Sequence, residues 1–239
     1  KAPNDARLTA SLADVHTRAG DTAGALSLLA DPKLQTGTNV TLLAARARAQ
    51  VAAKDEAGAQ ATFRAIVDLS PRDVAARRVL AGLLLKAGNA ESARSVLEGG
   101  MKADPRNIQL VQDYVGVDLK TGGLDTALAT ADRLAQNAPD VPGMDALRGD
   151  VYLIAKKPDQ ALKAYQAAMA KAPTQLLLLR IVNADGLLGK QEDAIAVLKT
   201  WYAAHPNDLG VGQALASLII AAKRPDEAIP LLNDIVAKS

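Results

Sequence analysis

Residues 74–88, VAARRVLAGLLLKAG, and 91–105, ESARSVLEGGMKADP, decide the fold of this chain. Each stretch carries apolar residues at helical spacing over enough length for a helix of about a dozen residues. Gly88 ends the first helix, and Asn89 is placed to cap the second. Asp104 and Pro105 close the pair, because proline fixes φ, lacks an amide hydrogen and biases the residue before it away from the α region. The stretch reads as a helical hairpin.

The hairpin recurs along the whole chain. An alanine early in the second helix appears at Ala25, Ala59, Ala93, Ala127, Ala161, Ala194 and Ala228, in steps of 34, 34, 34, 34, 33 and 34 residues. Twelve residues after five of these alanines stand Pro71, Pro105, Pro139, Pro173 and Pro206. A sustained period with a fixed phase predicts an all-α repeat array, with units at about 6–39, 40–73, 74–107, 108–141, 142–174, 175–208 and 209–239. Such an array buries a continuous seam rather than one compact core, so the length does not call for two domains.

Within each unit the small marker alanine lets the two helices approach closely. One turn later come Leu29, Phe63, Leu97, Ala131, Tyr165, Leu198 and Leu232, mostly bulky and expected to fill the gap to the neighbouring unit. Twelve residues before the alanine stand Ala13, Ala47, Ala81, Val115, Gly149, Val182 and Ala216, where first helices would meet. Pro158 and Pro225 sit at the start of second helices, where a missing amide hydrogen costs little. The first unit departs from the pattern. Asp31 and Pro32 fall inside its second helix and Gly37 takes the closing-proline position, so that helix should end early, with Asp31 to Asn39 an irregular surface loop.

Composition narrows the function classes. Lys and Arg number 28 against 26 Asp and Glu, and a net charge of +2 with dispersed basic residues is too small to argue for nucleic acid or an anionic membrane, so neither is expected as a partner. There are no cysteines, which removes disulfides and thiolate metal sites but leaves the redox compartment open. No apolar run approaches the roughly 20 residues needed to span a bilayer. No phosphate loop, nucleophile elbow or zinc-binding histidine pair occurs, so no enzyme activity and no cofactor are expected. His16 and His205 lack neighbours at metal-ligand spacing and read as structural or surface residues. Trp201 and Tyr202 make the densest aromatic spot, and their place late in a second helix predicts packing on the next unit.

The 34-residue period, the small-residue positions and the prolines resemble the tetratricopeptide repeat over the whole chain. The aromatic usual late in the first helix appears only as Tyr152, with His16, Gln50, Leu84, Asp118, Asp185 and Ile219 in the other units. The resemblance implies a right-handed superhelical solenoid whose first helices line a concave groove that takes a protein or peptide partner. Three groove positions of the first helices carry over to this chain. The second position gives Arg7, Thr41, Ala75, Gln109, Gly143, Leu176 and Gly210. At the fifth stand Ala10, Ala44, Arg78, Gln112, Ala146, Leu179 and Gln213, and at the ninth Asp14, Arg48, Gly82, Gly116, Asp150, Asn183 and Ser217. The candidate contacts are Arg48, Arg78, Gln112, Asp113, Arg180 and Asn183, set against the plainer reading of a solvated polar face. Asp14 and Arg48 are also placed to pair across adjacent units. The groove lacks the lysines and paired amides with which chaperone-tail receptors of this family grip a carboxylate.

The stretch 149–208, GDVYLIAKKPDQALKAYQAAMAKAPTQLLLLRIVNADGLLGKQEDAIAVLKTWYAAHPND, is similar to repeats of the long bacterial lipoproteins of exosortase and PEP-CTERM systems, the PrsT type. That resemblance implies a periplasmic or membrane-associated scaffold linked to exopolysaccharide or surface-protein export. The alternatives are a cytosolic adaptor and an accessory part of a larger enzyme. Lys1, Ala2 and Pro3 repeat the wording of Lys171, Ala172 and Pro173, and no polar capping element is visible at either end. This phase predicts a piece of a longer array whose exposed seam would allow end-to-end self-association.

Overall fold

The computed structural model describes residues 5–34 and 36–238, which form α-helices and two short 3-10 turns, with no strand among the described residues. The helices fall into two compact units that divide at Thr121 and Gly122. In unit 1, α1 (Ala6–Arg18) pairs with α2 (Thr22–Leu29), α3 (Val40–Ala52) with α4 (Glu56–Leu69), and α5 (Val74–Lys86) with α6 (Ala90–Ala103), while α7 (Ile108–Thr121) packs on α6. In unit 2, α8 (Gly123–Asn137) packs on α9 (Pro142–Ile154), which pairs with α10 (Pro158–Lys171). There α11 (Gln175–Leu187) pairs with α12 (Gln191–Ala204), and α13 (Leu209–Ala221) with α14 (Pro225–Lys238). The first helices open on Ala6, Val40, Val74, Ile108, Pro142, Gln175 and Leu209, the residues at which the repeat starts its units. The helices α7 and α8, which the repeat assigns to one hairpin, belong to different units. The Lys1–Ala2–Pro3 echo and Ser239 lie outside the described residues.

Side-chain caps open every α-helix of unit 1, whereas unit 2 mixes such caps with proline starts. The side chains of Asp5, Asp21, Asn39, Asp55, Asp73, Asn89 and Asn107 each accept from a backbone amide in the first turn of α1 to α7, at 2.8–3.3 Å. These bonds satisfy amides that the helix itself leaves orphaned. In unit 2, Thr174 and Asp208 cap α11 and α13, whereas α9, α10 and α14 begin on prolines. Proline removes an orphan donor instead of satisfying it.

The turn between paired helices needs one residue in the left-handed region. Gly20, Gly88 and Gly189 take it with φ of 84°, 79° and 70°, and Lys54, Lys156 and Lys223 take it with φ of 60°, 56° and 61°. A lysine there pays for its Cβ, which glycine does not. Changing these lysines to glycine is expected to stabilise the chain by about 0.5–1 kcal/mol per site, measured by chemical denaturation of each single variant. A loss of stability at all three would show that the lysine side chains contribute more than the turn strain removes.

The marker alanines are the best-buried series in the molecule, all seven at 0–2% exposure. One turn on, Leu29, Leu97, Ala131, Tyr165 and Leu198 are buried too, but Phe63 is half-buried and Leu232, at 36%, is exposed. Val182 is also half-buried, while Ile181 beside it is buried. The one-residue contraction between Ala161 and Ala194 falls just before their helix, α11, in the repeat 142–174. In unit 1 the core is built from Leu80, Leu84, Leu97, Leu110 and Tyr114. In unit 2, Tyr165 is the largest side chain with no exposure, and it sits where Gly149 leaves room. A Cβ on Gly149 would lie 2.4 Å from the Tyr165 ring.

The first unit's second helix does end early, α2 having 8 residues where α4 has 14. The segment after it is more ordered than a plain surface loop. Two 3-10 turns, Pro32–Leu34 and Thr36–Thr38, follow, and Thr36 is buried, its hydroxyl donating to the Leu29 carbonyl at 2.8 Å. That bond occupies a carbonyl which the shortened helix leaves open. Gln35, in the same stretch, lies outside the described residues.

Candidate functional site

A cavity of about 530 Å³ lies between α5 and α7 in unit 1. Its apolar lining includes Val79, Leu85, Leu97 and Val117, and its polar lining is Arg78, Gln112, Asp113 and Lys120. Gly82 and Gly116, the ninth residues of their helices, also line it. A Cβ on either glycine would meet no heavy atom within 4 Å, so the cavity exists because two side chains are missing from the helix faces.

Three of the six candidates from the sequence meet here. Arg78 donates to Asp113 through Nε at 2.5 Å and Nη2 at 3.2 Å, a paired arrangement between neighbouring first helices. The hydrogen bond to Asp113 holds the Arg78 guanidinium above its ordinary pKa. Gln112 is exposed, and its amide makes no hydrogen bond among the described residues. Lys120, which sequence reasoning passed over, stands at the cavity as a cation without an ion-pair partner among the described residues. Its signal was present in the register, since Lys86 lies one period earlier, but Lys86 pairs with Glu56.

The other candidates lie elsewhere. Arg48 donates to both carboxylate oxygens of Asp14 at 2.9 and 2.8 Å, the cross-unit pair that the spacing suggested. Both groups are accessible, so the pair contributes only about 0–1 kcal/mol. In unit 2, Arg180 lies 2.9 Å from Asp150, which also accepts the Tyr165 hydroxyl at 2.8 Å. Burial raises the Asp150 carboxyl pKa, while the Tyr165 hydrogen bond and Arg180 draw it back. Arg180 also lies over the Tyr165 ring, 5.8 Å from its centroid. Asn183 on α11 is exposed. Every arginine among the candidates is therefore already engaged with an aspartate of a neighbouring first helix. Sequence reasoning listed Asp150 as a groove residue without seeing that it holds Arg180.

The aromatic spot is built into the core. Tyr202 is buried among Leu178, Leu198 and Leu215 and donates to Asp234 at 3.1 Å. Trp201 stacks on His205 with ring centroids 4.3 Å apart, and its indole donates to Asp208 at 3.1 Å. His16 lies 2.7 Å from Asp21, which closes the first turn. Among the described residues no helix is long and apolar enough to cross a membrane.

Hairpins repeating at a 34-residue step, with an open cavity between first helices, define a helical-repeat scaffold. The chain belongs to the tetratricopeptide repeat family, whose models match residues 50–110 and 117–175. Proteins of this family serve in general as protein–protein interaction scaffolds. Among solved structures, the chain is similar to PilW, a type IV pilus biogenesis factor, at 17% identity and a TM-score of 0.50, over 84% of this chain and 94% of that one. A tetratricopeptide repeat protein of Parabacteroides merdae aligns at 14% identity and a TM-score of 0.49, over 84% and 80% of the two chains. The thermophilic protein TTC0263 of Thermus thermophilus aligns at 23% identity and a TM-score of 0.45, over 75% and 98%. At these identities the likeness to PilW speaks for the fold alone. No curated protein matches the chain.

Proposed function

We propose that the chain is a non-catalytic scaffold that holds an extended protein segment on the first-helix face of unit 1, with one apolar side chain of the segment seated between α5 and α7. The observation that carries this reading is the cavity itself, apolar volume beside Gly82 and Gly116 lined also by Arg78, Gln112, Asp113 and Lys120. Such a mixture of apolar volume and a few convergent polar groups suits a ligand fixed by one side chain and a handful of hydrogen bonds. Peptides selected on the native chain from a displayed random library test it. Against a Gly82→Leu, Gly116→Leu variant, affinity is expected to fall at least about hundredfold, because the leucines occupy the seat of the ligand side chain. The same variant is expected to melt higher, since glycine inside a helix costs about 0.5–1 kcal/mol relative to alanine. Peptides that bind both forms equally would overturn the reading.

The finer context is a bacterial envelope assembly concerned with exopolysaccharide or surface-protein export, with the scaffold facing the periplasm. Its support is the wording of residues 149–208. A cytosolic adaptor is the alternative. Cell fractionation of the full encoded protein separates them, with lipid-anchored recovery in the envelope expected and recovery in the cytosol overturning the proposal. Self-association is a further proposal, resting on exposed Leu8, Leu12 and Val15 of α1 and Ile229 and Leu232 of α14. Sizing across a concentration series is expected to show growth, and an unchanged mass would remove it.

A further inference from the structure

The eleventh residue of the first helix is His16, Gln50, Leu84, Asp118, Tyr152, Asp185 and Ile219 in successive repeats. Where this residue is polar, its side chain finds a neighbour in every repeat but one. His16 meets Asp21 at 2.7 Å, Gln50 accepts from Thr62 at 2.7 Å, Asp118 accepts from Arg94 at 2.7 Å, and the Tyr152 hydroxyl donates to Asp132 at 3.1 Å. Asp185 is 3% exposed, yet its carboxylate makes no hydrogen bond or ion pair among the described residues. A buried carboxylate is ordinarily paired, so this one calls for an account.

The account lies in the preceding second helix. Arg94, which serves Asp118, is the fifth residue of α6 and directly follows the marker Ala93. The same place in α10, directly after Ala161, is Leu162. Here the carboxylate stands at the eleventh position, but no cation follows the marker alanine of the preceding repeat. A cavity of about 470 Å³ borders both residues, Asp185 and Leu162, and is lined further by Met169 and Val197. Asp159, Asp193, Lys163 and Lys190 line it as well. Burial makes the Asp185 carboxyl harder to ionise and Asp193 adds to this, while Lys190 opposes it from beyond ion-pair reach. None of the six groove candidates lines this cavity, so it is separate from the site on α5 and α7.

We propose that this cavity in unit 2 binds a guanidinium group on a short aliphatic stem, the group that Arg94 supplies from within the chain in unit 1. The planar guanidinium presents donors in a fork that matches a carboxylate, and it is more weakly hydrated than an ammonium, which suits entry to a buried acid. Its stem would lie along Leu162, Met169 and Val197. The group could be borne by a free small guanidine or by an arginine of another protein.

Methyl NMR on the 239-residue chain tests this, because the chain has three methionines and only Met169 lines the cavity. Agmatine and the peptide acetyl-Gly-Arg-Gly-amide are the probes. A saturable shift of the Met169 methyl signal, with Met101 and Met144 unmoved, is the expected result. A shift with both probes admits a protein-borne arginine, and a shift with agmatine alone restricts the site to free small guanidines. Asp185→Asn is expected to weaken binding at least about tenfold. Leu162→Arg is expected to abolish it by filling the site from within, as Arg94 does beside Asp118, and its helical content by circular dichroism verifies that it folds. The proposal is overturned if neither probe moves Met169, or if the shift persists unchanged in both Asp185→Asn and folded Leu162→Arg.

Discussion

Replacing Tyr165 with alanine is expected to cost unit 2 about 3–5 kcal/mol of stability, the largest single effect foreseen for any side chain here. Tyr165 has no exposure, its ring fills the space that Gly149 leaves, and its hydroxyl donates to Asp150 at 2.8 Å. Truncation would therefore open a cavity and take from a partly buried carboxylate one of its donors. The packing can be checked from the other side. Gly149→Ala alone would place a methyl group within 2.4 Å of the ring and is expected to cost about 1–3 kcal/mol. Combined with Tyr165→Leu, the same methyl has room, so the double variant should lose less than the two single losses together. Urea denaturation of the four forms measures the cycle, and simple additivity would mean that ring and glycine do not compete for the same space.

Arg94→Leu is expected to cost about 2–3 kcal/mol, since it withdraws a charged donor from Asp118, which is 4% exposed. Breaking a fully buried pair costs about 3–5 kcal/mol, and the Arg94 side chain keeps one-fifth of its surface, which places the effect below that range. Arg94 also donates to Thr121 at 2.6 Å and Glu91 at 2.7 Å, contacts that are lost with it. Arg94→Leu with Asp118→Leu should recover most of the loss, because two apolar groups need no pairing. If the single variant were as stable as the native chain, the pair would contribute nothing, and the contrast with Asp185 would lose its energetic basis.

The architecture was legible because it is a matter of counting. Alanine must be small where helices meet closely, and a proline must fall where a helix stops, so both leave marks at a fixed step along the chain. Which charges meet is a different kind of fact. Arg48 reaches a residue 34 positions away, Arg78 one 35 away and Arg180 one 30 away, because a long side chain can choose among acids on adjacent turns. The spacing suggested the pair of Arg48 with Asp14, but it did not reveal that the other two arginines were also engaged. Thr36 was illegible for the opposite reason, since it lies where the period breaks and no register assigns it a partner. Asp185 left a usable trace in Leu162, visible once the residue after each marker alanine is compared between α6 and α10.

The pairing of the first-helix arginines with aspartates would also set the tempo of the recognition proposed above. Arg48 with Asp14, Arg78 with Asp113 and Arg180 with Asp150 each cancel to a local dipole, and a dipole's field fades over a far shorter distance than that of a lone charge. A partner approaching these arginines would meet no lone charge on them, and at the cavity between α5 and α7 any long-range pull would come from Lys120. On the function proposed above, encounter would run near the unassisted pace of about 10⁵–10⁶ M⁻¹s⁻¹ with only the weak salt dependence that Lys120 gives it, leaving discrimination between partners mainly to how long each one stays.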